Sequence, residues 1–195
     1  MSPTLSSSVF RSSDLSGALT ENRLAGETVY QGKLLQVERD RVRLPDGREG
    51  TREYIAHPGA AVILALTDTG ELLFERQFRY PLKRVFLELP AGKMDAHETP
   101  EQTARRELLE ETGYTARSWR HLGTIHPAIG YSDERIEVFF AQGVEAKAGQ
   151  QLDAGEFLEV FCLPIAAARE KVLAGEITDA KTLAALYMAE LQRLF

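Results

Sequence analysis

Hydrophobic and polar positions alternate at short range along the first third of this chain, then change rhythm where strands give way to helices. Residues 29–31, 34–44 and 51–57 carry the alternating runs of β-strands, and Pro45-Asp46-Gly47 joins the last two, since Asp-Gly favours a tight hairpin connection. The apolar phase shifts between Leu35/Val37 and Val42/Leu44, which predicts a bulge in that strand. His57-Pro58-Gly59 breaks the chain, and residues 60–67 (AAVILALT) form a nearly continuous apolar run, predicting a central strand buried on both faces. Asp68-Thr69-Gly70 turns into a second strand, GELLFERQFR, and VFLELPAG (85–92) makes a third. Residues 118–143 read as strand, irregular loop, strand, and residues 149–164 as a polar loop followed by a strand. Residues 164–174 form a short helix stopped by Gly175, and Thr178 is expected to cap a last helix whose Leu183, Leu186, Leu191 and Leu194 recur at helical spacing toward the sheet.

The most informative stretch lies between these blocks. Thr99 followed by Pro100 and, three residues after the threonine, by Gln102 is a capping-box start with proline at the first helical position, and Gly113 follows a run of good helix formers. A helix over 100–112 follows. Glu107, Glu110 and Glu111 stand at i, i+3 and i+4 and share one face, beside an apolar stripe marked by Ala104 and Leu108. A glutamate-rich face is often simply solvated. Three carboxylates together repel, however, and burial sharpens the repulsion. A divalent cation relieves it, and hard oxygen ligands suit Mg2+ or Mn2+.

At 195 residues, with 44% hydrophobic residues, the chain has material for one ordinary domain with a small appendage. A formal net charge of -6 argues against general nucleic-acid binding, so an anionic substrate must be met by local arginines and metal. The only cysteine, Cys162, sits in an apolar run and reads as a core residue; a lone cysteine excludes an internal disulfide and fits a reducing compartment. Residues 1 to about 20 are rich in serine and read as disordered or as a loosely attached arm. They hold no apolar region of signal-peptide length, and no span long enough to cross a bilayer occurs, so a cytoplasmic protein without membrane partners is expected.

Read outward from the helix, Gly92, Glu98, Arg106, Glu107, Leu108, Glu110, Glu111 and Gly113 keep a fixed spacing that resembles the Nudix hydrolase signature, with only Tyr114 off pattern. The resemblance implies an α/β/α sandwich on a mixed sheet, here residues 58–195, preceded by a small antiparallel β extension in residues 1–57. It implies hydrolysis of a nucleoside diphosphate linked to another moiety. The layout is similar to the ADP-ribose pyrophosphatase branch, in which the N-terminal extension pairs with a second subunit, so a homodimer is expected. Carried over by position, Glu107, Glu110 and Glu111 with the Ala91 carbonyl become ligands of two or three Mg2+ ions, Mn2+ being a substitute. Arg106 and Glu98 become residues that orient those glutamates, or an ordinary salt bridge. Arg52, Arg79 and Glu88 stand where this branch places substrate contacts. Glu156 becomes the candidate base, with Asp153 as the runner-up. His126 is either a substrate contact or structural, and Lys181 reads as a solvated helix residue. Ile129 occupies the place where the branch carries a marker proline, which leaves open GDP-mannose, a dinucleoside polyphosphate or NADH as substrate. An ADP-ribose-sensing module without hydrolysis is the alternative of another class.

Overall fold

Asp46-Gly47 turns the chain as its sequence demands: Gly47 adopts a positive φ of 85° and donates to the Leu44 carbonyl at 2.9 Å. The computed structural model describes residues 17–195, so most of the arm expected up to about residue 20 lies outside the described residues. β1 (Asn22–Gln31), β2 (Gln36–Arg43) and β3 (Glu49–Ala56) form a three-stranded antiparallel sheet in that order. β2 pairs with β3 without interruption from Gln36 opposite Ala56 to Arg43 opposite Glu49. The bulge predicted for this strand is therefore absent. The phase shift arises because Leu35 and Leu44 lie outside β2, and the irregularities fall instead in β1, where Leu24 and Val29 are extra residues in the register. The sheet belongs to a compact unit that ends at Ala56 and includes Gly130–Ser132, with Ile55 N donating to the Tyr131 carbonyl at 2.9 Å.

The second unit comprises His57–Ile129 and Asp133–Phe195. Its sheet contains β4 (Ala60–Thr67), β5 (Glu71–Arg79), β6 (Arg84–Glu88), β7 (Ala91–Lys93), β8 (Tyr114–Ile125), β9 (Ile136–Ala146) and β10 (Leu158–Pro164). The order is β10-β5-β4-β9-β8, with β6 beside β5 and β7 beside β4. Only the β4–β9 pair is parallel, so the sheet is mixed. β4 is the central strand its apolar run predicts. Ala61, Ile63 and Ala65 face a cluster with Ala104 and Leu108 of α1 (Pro100–Thr112), while Val62 and Leu64 face Ala168 of α2 (Ile165–Leu173) and Ala185 and Ala189 of α3 (Ala180–Leu191). A period-2 strand thus serves two helix layers, giving the α/β/α sandwich.

Three local readings need correction. Asp179, not Thr178, caps α3, its carboxylate accepting from Thr182 N at 3.0 Å; Thr178 Oγ1 instead accepts from Arg84 Nη2 at 2.9 Å. An aspartate one residue closer to the first turn reaches the free amides better than a threonine outside it. Leu191 is exposed, and the small side chains Thr182, Ala185 and Ala189 make the closest approach of α3 to the core. Cys162 is exposed rather than buried; β10 is an edge strand with a neighbour on one side alone.

Candidate active site

The tight passage from β7 into α1 sets the site. The capping box forms as its sequence predicts, with Gln102 N donating to Thr99 Oγ1 at 3.3 Å and Thr99 N to Gln102 Oε1 at 2.8 Å. Gly113 closes the helix in the left-handed conformation, φ 75°. At Gly92 a Cβ would lie 2.0 Å from the Glu107 carboxylate, so any side chain there would displace that group. That missing side chain lets the β7 backbone approach the acidic face of α1, and Ala91 N donates to Glu111 Oε2 at 2.9 Å.

Arg106 is the hub of the helix side. Its Nε and Nη2 grip both oxygens of Glu98 at 2.8 and 2.9 Å, and Nη2 also donates to the Lys93 carbonyl at 3.0 Å. Its Nη1 donates to Glu107 at 2.8 Å and to Glu110 at 3.0 Å. The Arg106 bonds to Glu98, with Thr103 Oγ1 and Asp95 N, hold the Glu98 carboxyl down at about 2. Glu107 goes the other way. Burial, reinforced by Glu110 and Glu156, lifts it to about 7 despite Arg106. Glu111, 4% exposed, is raised by burial and then by the neighbouring charges of Glu75, Glu107 and Glu156.

The sheet side supplies a second row. Alternation along β5 puts Glu75, Gln77 and Arg79 on one face, and the register sets Glu75 opposite Glu88 of β6. Arg79 forks onto both oxygens of Glu88, each at 2.7 Å. Lys181, from the first turn of α3, binds Glu88 as well and reaches Asp179 at 3.0 Å. Its side chain is 13% exposed, so the reading of Lys181 as a solvated residue is overturned: a carboxylate buried in β6 needs a second cation, and α3 delivers it. Burial of Glu88 opposes ionisation, but Arg79 and Lys181 together outweigh it and lower its pKa.

The structure therefore brings Ala91, Arg106, Glu107, Glu110 and Glu111 together along β7 and α1, and joins Arg79 to Glu88. Glu156 lies in the loop before β10, where Gln77 Nε2 donates to it at 3.2 Å, and its charge is felt at Glu75, Glu107 and Glu111. Asp153 supports that loop through its carbonyl, which accepts from Glu156 N at 2.9 Å. Arg52 lies in β3 of the other unit, where it pairs with Glu21 and donates to the Thr51 carbonyl at 2.9 Å. His126 and Ile129 are exposed, Ile129 by 84%. Sequence reasoning missed Glu75, Gln77 and Lys181. For the first two a signal existed, because the alternation that placed Arg79 on the site face of GELLFERQFR places them there too.

The donor set fits a hard divalent cation: several carboxylates, a backbone carbonyl and no thiolate. Buried acids whose charges oppose one another, and an oxygen of Glu75 without a partner, are the cost such an ion removes. Among the described residues no three acids already stand in chelating geometry, since Arg106 Nη1 holds Glu107 and Glu110.

Comparison with known proteins gives the same picture. A NUDIX domain profile matches residues 56–186, and a profile of the nucleoside diphosphate sugar hydrolase N-terminal domain matches residues 21–55. The chain is 39% identical over 176 residues to an ADP-ribose pyrophosphatase of Bacillus subtilis (strain 168), which spans 90% of this chain and 95% of that protein. It is 34% identical over 173 residues to a methanol dehydrogenase activator of Bacillus methanolicus, spanning 88% of this chain and 94% of the other. A crystal structure of an ADP compounds hydrolase shares the fold, with a TM-score of 0.79 at 23% identity over 91% of this chain and 96% of that one. With signature, sandwich and domain profile in agreement, the chain belongs to the NUDIX family.

Proposed function

We propose that the protein hydrolyses the diphosphate bridge of ADP-ribose, or of a related nucleoside diphosphate sugar, to two monophosphates. The observation that carries this reading is the acidic face of α1, with Glu111 buried, lying against the β7 backbone, and the Arg79–Glu88 pair on the adjoining strands. The likeness to an ADP-ribose pyrophosphatase along nearly the whole of both chains supports it.

Hydrolases of this family generally use divalent cations such as Mg2+. In this reading Glu107, Glu110 and Glu111 with the Ala91 carbonyl hold Mg2+, for which Mn2+ substitutes. Bound there, the ions neutralise phosphoryl oxygens and make a water nucleophilic. Three carboxylates exceed the charge of one divalent ion, which favours two or three ions. Arg106 and Glu98 set the direction of those carboxylates before substrate arrives. Arg79 uses Nε and Nη2 on Glu88, which leaves Nη1 for a phosphate oxygen. Arg52 is assigned to the same substrate. Glu156, already beside the buried acids, takes the proton from the attacking water, with Asp153 shaping its loop.

We also propose a homodimer. The apolar side chains Leu24, Val29 and Tyr30 of β1 are exposed, and a sheet whose only buried side chains are Asp40 and Val42 gains from a partner. The unpaired Cys162 agrees with a cytoplasmic setting. The direct test is ADP-ribose with Mg2+ in water labelled with heavy oxygen. AMP and ribose 5-phosphate are expected, one of them labelled, and the labelled product identifies the phosphorus attacked. No turnover of ADP-ribose or of a panel including GDP-mannose, with binding retained, would turn the reading into that of a sensor.

A further inference from the structure

Within the larger unit, Glu75 is the one buried acid that the reaction as described leaves without a task. It follows Leu72, Leu73 and Phe74, which are wholly in the core, and is itself only 2% exposed. A carboxylate taken to that depth costs several kcal/mol unless it is paired. Yet Oε1 of Glu75 has no hydrogen-bond partner among the described residues. Its neighbours do not supply one. Lys181 and Arg79, the cations on that side, are both committed to Glu88. Gln77, two residues on and on the same face, is committed to Glu156. The carboxyl of Glu75 instead lies within hydrogen-bonding reach of Glu111, another acid, approaching it from the strand as the helix approaches from the opposite side.

Packing alone does not call for this arrangement, because an apolar residue would fill the place without an unpartnered oxygen, and a glutamine would hydrogen-bond to Glu111 without opposing its charge. Two nearly inaccessible carboxylates turned toward one another, one with a bare oxygen, form a site for a shared positive ion. We propose that Glu75 and Glu111 hold one divalent cation between them, Glu75 supplying an oxygen ligand from β5 to the ion that Glu111 holds from α1. The ion then ties the sheet to the signature helix. This inference rests on the reading of the α1 glutamates as cation ligands.

The test uses the full chain, Mn2+ as the probe and no substrate. Isothermal titration and the rise in melting temperature on adding Mn2+ are measured for the unaltered protein, Glu75→Gln and Glu111→Gln. Loss of groups that merely support a metal ligand weakens binding about 10- to 100-fold, and loss of a ligand should do no less. Glu75→Gln is expected to lose one Mn2+, or to bind it at least about tenfold more weakly, while its metal-free melting temperature stays the same or rises. If Glu75→Gln binds Mn2+ like the unaltered protein while Glu111→Gln does not, the assignment of Glu75 is overturned and the helix site stands. If Glu111→Gln also binds normally, the helix site falls and this inference with it. Glu75→Met, of similar length but without oxygens, separates the same outcomes should the glutamine variant fold poorly.

Discussion

The two units of this chain solve the problem of stability in opposite ways. In the larger one, β4 is covered on both faces, and its alternate residues feed two separate clusters of apolar side chains. In the smaller one, every residue of β1 is exposed, and β2 buries only Asp40 and Val42. What links the strands of the small sheet, beyond the backbone ladder, is a lattice of ion pairs: Arg23 with Asp40, Arg39 with Glu27 and Glu53, Arg41 and Arg43 with Glu49. Most of these are solvent-exposed and contribute little each. The difference teaches where chemistry can be placed. The one acid the smaller sheet buries, Asp40, is held by Arg23, whereas the larger unit surrounds Glu75 and Glu111 with a dense core that dictates their positions.

The largest effect that sharpens this contrast is on turnover. Glu111→Gln is isosteric and leaves the core intact, so it should lower Mg2+-dependent hydrolysis of ADP-ribose on the order of 10³-fold, about 4 kcal/mol, with an unchanged far-UV spectrum. Next comes the core itself. Ile63→Ala in β4 should cost about 2–5 kcal/mol in denaturant unfolding, whereas Leu24→Ser in β1 should cost no more than about 0.5 kcal/mol at concentrations where the chain is monomeric. The same Leu24→Ser change should weaken self-association measured by light scattering. Equal losses in the two variants would erase the distinction between the units.

The pH dependence gives a smaller but more pointed effect. Burial first, then Glu110 and Glu156, raises Glu107 from 4.5 to about 7, so the folded chain keeps a proton that the unfolded chain releases. Stability of the metal-free protein should therefore be greatest below about pH 4.5 as far as this group is concerned, fall as pH rises to about 7, and level off above. A divalent ion removes the need for that proton, and saturating Mg2+ should flatten the fall. Melting curves between pH 5 and 8, with and without Mg2+, read this out. Parallel curves would show that Glu107 does not face a cation.

Much of this site was legible before any coordinates, because its information is local. The cap at Thr99, the stop at Gly113 and the shared face of Glu107, Glu110 and Glu111 depend on residues within one helix, and 100–112 appears as read. The buried strand 60–67 announced itself through an apolar run long enough to require cover on both sides. What stayed hidden depends on partners far apart in sequence. Lys181 looks like any helix-surface lysine until α3 brings it to Glu88, 93 residues away. The exposure of Cys162 follows from β10 lying at the sheet edge, which no property of FLEVFCL encodes. The choice of Asp179 over Thr178 as cap turned on one residue of boundary, the scale at which sequence patterns are weakest.

Crystals grown with Mg2+ and a slowly hydrolysed ADP-ribose analogue test the central claim most directly. The account predicts metal density bounded by Glu107, Glu111 and the Ala91 carbonyl, in contact with the diphosphate, and Arg106 withdrawn from Glu107. A bound analogue with those carboxylates still held by Arg106 and no ion beside them would contradict it.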